Sequence, residues 1–387
     1  MRCGYFEAGV CRSCTEIETP YAAQLATKQR HAREALAAWP DLAWLEPVAS
    51  RESGFRNKAK LVVAGTVEAP TLGILDAEGR GTDLRRCGLY SPRAHTLLPA
   101  LADLVTRARL TPYDVPARRG ELKHLLVTES PDGEFLVRFV LRSTEALPRL
   151  ERALPGLLAA HPEIAVVTAN LQPEHKAVLE GEQEVVLTER ATLPVAIGGP
   201  GGVVLHVGPR AFLQTNTDVA AALYAQAAAW ADEVAPSSVL DLYCGVGGFA
   251  LHLAAPGRRV HGVEVSEQAV AAARTSAAEL GLTDVTFAAG DATAVPDLGD
   301  DLAADLVVVN PPRRGLGAEL CAALDASPAT TLVYSSCHAG SLARDLARLP
   351  GWTPSRARLL DMFPHTTHYE TAVLLRRPTA GAFSAGS

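Results

Sequence analysis

The segment Asp241-Leu-Tyr-Cys-Gly245-Val-Gly247-Gly248-Phe249 lies between an apolar run, Val239–Leu242, and a predicted helix, Phe249–Ala255. Glycines at such a position let the backbone turn sharply from a strand into a helix and approach a ligand that a Cβ atom would exclude. From about residue 217 onward, apolar runs alternate with helical patterns. Continuous apolar runs are typical of a parallel sheet buried on both faces. The sequence therefore predicts a doubly wound α/β domain.

Further strands and one helix of this domain are also predicted. The helix begins after Ser266 as N-cap and ends before Gly281. The last two strands are close enough in sequence to form an antiparallel pair. The predicted strands are Val239–Leu242, Arg259–Val265, Val285–Ala289, Leu306–Val309, Thr331–Ser335, Leu359–Phe363 and Glu370–Leu375.

The first half of the chain has a different pattern. Residues 21–39 are rich in alanine and predict a helix, and short β segments then follow from about 55 to 205. Three units are expected: residues 1–205 as a smaller α+β domain, residues 206–378 as the α/β domain, and a disordered tail, residues 379–387. The other elements predicted here are Lys60–Gly65, Leu122–Thr128, Glu134–Leu141, the helix Leu147–Ala160, Ile164–Asn170 and Glu184–Thr188.

The 387 residues have an ordinary globular composition, with 48% hydrophobic and 20% charged residues, which excludes a disordered or fibrous protein. The net charge of −7 disfavours a nucleic-acid partner on its own. However, residues 51–123 carry thirteen Arg or Lys against eight Asp or Glu, whereas residues 206–387 carry twelve against eighteen. This uneven distribution permits a polyanionic partner. No apolar segment is typical of a signal peptide or a membrane span, which predicts a cytoplasmic protein.

The glycine turn points to a ligand that contains a ribose. Glu264 ends the second strand, nineteen residues after Gly245, where a carboxylate can accept hydrogen bonds from two ribose hydroxyls. Asp291 ends the third strand, near the expected position of an adenine. NAD and S-adenosylmethionine both fit this arrangement. The full G-x-G-x-x-G spacing is absent, which disfavours NAD.

Polar residues follow the fourth strand, in the segment Asn310-Pro-Pro-Arg313. The two prolines restrict the backbone at the carboxyl edge of the sheet, where open α/β sheets bind ligands. Enzymes that methylate exocyclic amines place an aromatic residue after these prolines, and cytosine-C5 RNA methyltransferases typically place a cysteine there. Arg313 occupies that position, which disfavours both classes.

The next strand ends in Tyr334-Ser-Ser-Cys337-His338, again at the carboxyl edge. The amino terminus of a following helix can stabilise a thiolate at Cys337. Farther on, His365 and His368 precede Glu370 on the connection between the last two strands. These residues suit either metal ligation or a general base, Glu370, in a pocket that the histidines shape.

Four of the seven cysteines lie in the first quarter of the chain: Cys3, Cys11, Cys14 and Cys87. An odd total and the lack of a secretory signal disfavour a disulfide framework. Four thiolates suit either tetrahedral zinc or a [4Fe–4S] cluster. Structural zinc sites commonly use two close pairs, whereas this set has one pair and two single cysteines. The spacing therefore favours an iron–sulfur cluster, with zinc as the alternative.

Taken in order, these segments resemble the RNA uracil-C5 methyltransferases that use S-adenosylmethionine, and the resemblance covers nearly the whole chain. Within that family, the subgroup acting on uracil 747 of 23S ribosomal RNA has the same short Cys-x7-Cys-x2-Cys start and a similar Asp-Met-Phe-Pro-His segment at residues 361–365. Members acting on another 23S position carry an extra OB-type domain, which we expect this chain to lack. The motifs are the four cysteines, Phe55-Arg-Asn-Lys-Ala-Lys60, Phe212-Leu-Gln-Thr-Asn216, the glycine turn, Asn310-Pro-Pro-Arg313, Ser335-Ser-Cys337 and Glu370.

The resemblance implies a Rossmann-like class I methyltransferase domain preceded by a smaller α+β domain with a structural [4Fe–4S] cluster on the four cysteines. It implies that Cys337 is the nucleophile and Glu370 the general base. The residues that would hold S-adenosylmethionine are Gln214, Tyr243, Glu264 and Asn310.

The expected partner is 23S ribosomal RNA, with no membrane and no obligate protein partner. The basic segment 51–123 is the candidate recognition surface, through Arg56, Lys58, Lys60, Arg85, Arg86, Arg118, Arg119 and Lys123.

Other functions remain open at the level of sequence. The nearest are uracil-C5 methylation at another 23S site or in transfer RNA. More distant ones are an iron–sulfur oxidoreductase that binds NAD or flavin and a noncatalytic RNA-binding protein on a methyltransferase-like fold. Cys337 and Glu370 together disfavour these last two.

Overall fold

The computed structural model describes residues 1–175, 178–199, 201–294 and 302–377. The chain begins with helices α1 (Gly4–Glu7) and α2 (Tyr21–Ala35) and strand β1 (Ala43–Trp44). The next region contains β2 (Lys58–Gly65), β3 (Pro70–Leu75), β4 (Gly81–Asp83), α3 (Pro92–Arg107), β5 (Leu122–Glu129), β6 (Phe135–Leu141), α4 (Leu147–Ala160), β7 (Ile164–Leu171) and β8 (Gln183–Val186).

A hairpin, β9 (Leu193–Ile197) and β10 (Val203–Val207), leads into the last region. That region contains α5 (Thr217–Val234), β11 (Ser238–Leu242), α6 (Gly248–His252), β12 (Arg259–Glu264), α7 (Glu267–Glu279), β13 (Val285–Ala289), β14 (Leu306–Val309), α8 (Ala318–Ala326), β15 (Thr331–Ser336), α9 (Ala339–Leu346), β16 (Thr353–Leu360) and β17 (Glu370–Arg376).

The last region is built on an eight-stranded sheet with the order β1-β16-β17-β15-β14-β11-β12-β13. Its strands pair in parallel except for β17, which is antiparallel to both β15 and β16. Both faces are covered: Val239 of β11 packs in one apolar cluster with residues of α5 and α7, and Leu240 packs in another with residues of α8 and α9. The prediction of a doubly wound α/β fold is confirmed.

A second sheet has the order β4-β3-β2-β5-β6-β7-β8. Helices α3 and α4 pack on it and contribute Leu97, Leu101 and Leu150 to its buried cluster. Helix α3 was not predicted, although its start has clear sequence marks: Pro92 stands in the first turn and the Ser91 side chain accepts the Ala94 N–H.

Three predicted elements have a boundary that is wrong by three residues or more, and one is helix α2, which ends at Ala35 and not at residue 39. Helix α6 ends at His252, earlier than expected, and the strand predicted at Leu359–Phe363 is β16, which runs from Thr353 to Leu360. Beyond Leu360 the backbone leaves the sheet, because the Phe363 carbonyl accepts a hydrogen bond from the Lys28 ammonium instead of a strand neighbour. Residues 361–369 are therefore a loop between β16 and β17.

Helix α2 and strand β1 lie against the large sheet. Strand β1 pairs with β16, and α2 contacts α9 and β16. The β9–β10 hairpin also packs there, since the His206 N–H donates to Ser276 Oγ of α7 at 2.9 Å. The division at residue 205 stays a prediction, and residues 379–387 lie outside the described part. In that described part, no helix is long and apolar enough to cross a membrane.

Candidate active site

A cavity of about 570 Å³ opens at the carboxyl ends of β11, β12, β14 and β15. It brings together residues that are up to 158 positions apart in sequence, Phe212 and Glu370. All six residues predicted for catalysis and cofactor binding line it: Gln214, Tyr243, Glu264, Asn310, Cys337 and Glu370.

The glycine turn forms one wall of this cavity. Tyr243, Gly245 and Gly247 all have positive φ angles, of 63°, 55° and 85°. A Cβ atom on Gly248 would come within 2.5 Å of the Tyr224 hydroxyl, whereas one on Gly245 would meet no protein atom within 4 Å. Gly248 is therefore required for packing behind the turn, and Gly245 leaves open space beside the cavity.

Glu264 joins the turn to the second strand. Its carboxylate accepts the N–H of Gly245 at 3.1 Å on one oxygen and the N–H of Ser266 at 3.0 Å on the other. An ionised carboxylate has about four acceptor positions. The two backbone contacts fix its orientation and leave capacity for ribose hydroxyls.

Two exposed apolar side chains at the cavity were given no role from the sequence. Phe212 is 67% exposed and Val265 is 72% exposed, and both line the cavity. Exposed apolar residues are common on their own, but two beside one cavity supply apolar surface that a planar ligand can cover. Val265 directly follows Glu264.

Two motifs quoted from distant parts of the sequence contact each other. The Asn57 side-chain amide donates to the Gln214 carbonyl at 2.9 Å and to the Thr217 hydroxyl at 2.8 Å. The Asn57 backbone N–H donates to the Thr215 carbonyl at 2.9 Å. The start of β2 in the smaller sheet thus holds the backbone that carries Gln214 into the cavity.

Glu370 is the first residue of β17 and is 2% exposed. Burial raises the pKa of its carboxyl to about 7, although the Ser335 hydroxyl, which donates to Oε1 at 2.6 Å, acts in the opposite direction. A carboxyl with this pKa exchanges its proton near neutral pH, as a general base requires.

Replacing Ser335 with alanine tests this arrangement. The hydroxyl stabilises the ionised carboxylate, so its loss is expected to raise the pKa of Glu370 further. Proton removal by Glu370 then needs a higher pH, by about one pH unit for the loss of one hydrogen bond to a charged group. The measurement is the pH dependence of product release from the covalent RNA adduct. The control is Ser327→Ala, which replaces a buried serine that does not line the cavity and should leave the pH profile unchanged. A pH profile of S335A that is not shifted would show that the Ser335 hydroxyl does not lower the pKa of Glu370.

Cys337 follows β15 directly and precedes α9. Burial and the charge of Glu370 raise the pKa of its thiol, and Arg313 acts in the opposite direction. The stabilisation of a Cys337 thiolate by the following helix stays a prediction. Arg313 is the nearby cation that favours the thiolate.

The loop before Glu370 is held by α2, which sequence reasoning missed. Lys28 Nζ donates to Asp361 Oδ1 at 2.7 Å, and both side chains are buried. Four residues earlier on α2, the Gln24 side chain accepts the His365 N–H at 2.9 Å. The only indication in the sequence is spacing, since Gln24, Lys28 and Ala32 recur every fourth residue on one helical face.

Removing Lys28 is expected to destabilise the fold. Lys28→Met leaves the Asp361 carboxylate buried without its cation, which typically costs about 3–5 kcal/mol. Urea denaturation measures the loss, and the double variant Lys28→Met/Asp361→Leu should recover a large part of it. Equal stability of wild type and K28M would show that the pair does not hold the loop.

The two histidines of this loop differ. His365 is buried, and its ring contacts Gln24 and the Glu52 carbonyl, so it has a structural role in the loop. His368 is exposed and lies beside Cys337 in a second cavity. Neither lines the larger cavity.

Cys3, Cys11, Cys14 and Cys87 are free thiols in one region of the structure. Burial, and then the charges of Cys87, Cys11 and Cys3, raise the pKa of Cys14 to about 11. The Tyr5 hydroxyl accepts the Arg86 N–H at 3.2 Å, which joins the N-terminus to the loop of Cys87. The donor set fits a four-thiolate group. However, in the described residues no three His, Cys, Asp or Glu side chains are placed to hold a metal ion.

Only some of the basic residues of segment 51–123 are exposed at the protein surface. Lys123 is 6% exposed, and its ammonium donates to the Gln172 side chain and the Glu174 carbonyl. Burial, and then the charge of Lys60, lower the pKa of Lys58 to about 8. The prediction that Lys123 is a surface contact for RNA is therefore wrong, whereas Arg118 and Arg119 are exposed.

Comparison with known proteins identifies the family. Residues 203–378 match the model of the tRNA (uracil-5-)-methyltransferase family. The chain is 48% identical, over 97% of its length and 99% of the relative, to the 23S rRNA (uracil(747)-C(5))-methyltransferase RlmC of Yersinia pestis. The RlmC of Yersinia pseudotuberculosis serotype I gives the same values. The chain belongs to the RNA uracil-C5 methyltransferase family.

The fold agrees with this membership of the uracil-C5 methyltransferases. The crystal structure of the Pyrococcus abyssi tRNA (uracil-54, C5)-methyltransferase, in complex with S-adenosyl-L-homocysteine, superposes with a TM-score of 0.76. The match covers 94% of this chain and 85% of that protein at 23% identity. Both sheets therefore belong to a shared architecture, and the cavity lies in its methyltransferase part.

Proposed function

We propose that this enzyme transfers a methyl group from S-adenosylmethionine to C5 of a uridine in 23S ribosomal RNA, at the position equivalent to uracil 747. The proposal rests on one observation: a single cavity is lined by the Cys337 thiol, the buried Glu370 carboxyl and Gly245 of the glycine turn. The 48% identity to RlmC proteins over nearly the full length supports the choice of RNA.

The thiol supplies the nucleophile that the reaction needs. Uracil C5 is a poor nucleophile in the aromatic-like ring. The Cys337 thiolate adds to C6, which forms the S–C6 bond and pushes an electron pair into an enolate that includes C5. Arg313, the cation that favours the thiolate, lines the same cavity.

Gln214, Tyr243, Glu264 and Asn310 would hold S-adenosylmethionine, which would supply an electrophilic methyl group to C5 of the enolate. The C5–methyl bond would form as the bond between the sulfonium sulfur and the methyl group breaks, and S-adenosylhomocysteine would be the leaving group. Glu264 would bind the ribose hydroxyls, because its two oxygens are oriented by Gly245 and Ser266. Phe212 and Val265 supply apolar surface beside it.

Glu370 completes the reaction. After methylation, C5 still carries its proton, and the ionised Glu370 carboxylate removes it. The electron pair of the C5–H bond forms the C5–C6 double bond, the C6–S bond breaks, and Cys337 is released with 5-methyluridine as the product. Burial of Glu370 gives the carboxyl the raised pKa that this proton transfer uses.

We also propose that Cys3, Cys11, Cys14 and Cys87 hold a structural [4Fe–4S] cluster that joins the N-terminus to the loop of Cys87. The grouping of the four thiols and their spacing support it. The reaction at Cys337 needs no electron transfer, so no step passes through the cluster.

Protein purified without oxygen is expected to contain about four iron atoms and four sulfides per chain. Cys87→Ser should lose this iron and sulfide, because three thiolates remain, whereas Cys321→Ser, in helix α8, should retain it. Elemental analysis and acid-labile sulfide determination give the result. A result of one zinc per chain and no iron would show that the four cysteines hold zinc and not an iron–sulfur cluster.

The test of the proposed function is methyl transfer from labelled S-adenosylmethionine to unmodified 23S RNA and, separately, to unmodified transfer RNA. Label recovered as 5-methyluridine at one 23S position supports both the reaction and the target. Label in transfer RNA would support uracil-C5 methylation but would show that 23S RNA is the wrong substrate. No label in either, with both RNAs bound, would favour the noncatalytic RNA-binding alternative. A cytoplasmic location follows from this substrate and stays a prediction.

A further inference from the structure

A second cavity, of about 370 Å³, lies on the other side of Cys337, between helix α2 and the loop before Glu370. We call it the histidine cavity. Cys337 and Arg313 line both cavities, so the two meet at the nucleophile. Its wall also contains Glu16, Lys28, His31, Thr366, Thr367 and His368.

The position of this cavity limits what it can hold. In the proposed reaction the donor occupies the larger cavity, and the target base lies at Cys337 with C6 toward the sulfur. The target nucleotide remains joined to both of its neighbours through phosphates. A neighbouring nucleotide is therefore within reach of the histidine cavity, which shares Cys337 with the reacting base.

The chemistry of the lining fits a nucleotide. His31 and His368 are exposed imidazoles, and RNA-binding proteins stack splayed bases on such rings. His31 is oriented, because its Nδ1 lies 2.5 Å from the hydroxyl of the buried Tyr369. Threonine hydroxyls of Thr366 and Thr367 add hydrogen-bonding groups at the same wall.

The charges favour a phosphate nearby. Arg313 is exposed at the junction of the two cavities. The wall of the histidine cavity also contains Glu16 and Lys28, whose ammonium is paired with the buried Asp361 carboxylate. Burial, and then the charges of Arg313, Lys28 and His338, lower the pKa of His368. The lowered pKa favours a neutral His368 ring, which lines the same cavity as the exposed Arg313.

We propose that the histidine cavity binds the nucleotide adjacent to the target uridine. The base stacks on His31 and His368, and Arg313 contacts the phosphate between the two nucleotides. This inference rests on the proposed function and adds a sequence-reading subsite to it. A base held there keeps the target uridine out of its stack while Cys337 adds to C6.

The experiment uses the holoenzyme, purified without oxygen, and a synthetic 23S fragment that contains the target uridine. The neighbours on the 5′ and 3′ sides are replaced one at a time by an abasic nucleotide. Single-turnover methyl transfer is measured for the wild type, His31→Ala and His368→Ala. The control is His261→Ala, which lies near the amino ends of the strands, away from both cavities.

In the wild type and the control, one of the two abasic substitutions is expected to slow transfer roughly tenfold or more, from lost stacking. With His31→Ala and His368→Ala, the intact fragment should react more slowly than with the wild type. The same abasic substitution should then slow methyl transfer by these variants only slightly further. This non-additivity distinguishes a stacking contact from a structural role, which would leave the abasic penalty unchanged.

Two failures are distinguishable. If the intact fragment gives no 5-methyluridine with the wild type, the proposed function is overturned, and this inference with it. If product forms normally but neither abasic substitution slows transfer, or the penalty is the same in His31→Ala and His368→Ala as in the wild type, the histidine cavity does not hold the neighbouring nucleotide.

Discussion

Cys337→Ala is expected to form no covalent RNA adduct and to lose methyl transfer by at least roughly 10⁴-fold, the scale seen when a covalent nucleophile is removed. Without the sulfur, C6 is not attacked and C5 does not gain the electron density that methylation requires. S-Adenosylmethionine binding should persist, because its proposed contacts are made by Glu264, Tyr243 and other residues of the larger cavity.

Cys321→Ala is the matched control for this variant. Cys321 is also a buried cysteine of the α/β domain but does not line the cavity. It should retain adduct formation and turnover. Substantial 5-methyluridine from C337A would show that the reaction proceeds without the proposed nucleophile.

Glu370→Gln is expected to methylate RNA and then remain attached to it. The amide does not remove the C5 proton, so the C6–S bond stays and the adduct accumulates. Turnover should fall by about 10²–10⁴-fold, the usual contribution of a positioned general base. Denaturing gel electrophoresis with labelled methyl donor measures the trapped complex, which should carry one label per chain.

The control for Glu370→Gln is Glu233→Gln, which alters a surface ion pair with Arg356 and leaves the cavity intact. It should turn over like the wild type. Normal turnover by E370Q would assign proton removal to another group. Trapping of unmethylated RNA would mean that Glu370 is needed before methyl transfer.

The α/β core was predictable because its strands are continuous apolar runs and its turn residues are local. Val285–Ala289 and Leu306–Val309 were predicted with their exact bounds, and Ser266 is the N-cap of α7 as expected. Four cavity residues were also predictable from position, since Tyr243, Glu264, Asn310 and Cys337 lie at the carboxyl ends of parallel strands, where such sheets place their ligands. Gln214 and Glu370, the first residue of β17, do not, and the family resemblance indicated their roles.

Contacts between distant segments were not predictable. Lys28 lies 333 residues before Asp361, and nothing local to either residue indicates the other. The same holds for Ser335 and Glu370, which adjust the pKa of the proposed base. The raised pKa of the Cys337 thiol was not predictable for the same reason, because burial depends on packing that the local sequence does not reveal.

The most direct test of the mechanism is mass spectrometry of the complex that Glu370→Gln forms with unmodified 23S RNA, after digestion of both protein and RNA. We expect the peptide that contains Cys337 to carry one uridine nucleotide with one additional methyl group. An adduct on another cysteine, or 5-methyluridine in the RNA with no protein adduct at any time, would contradict the account.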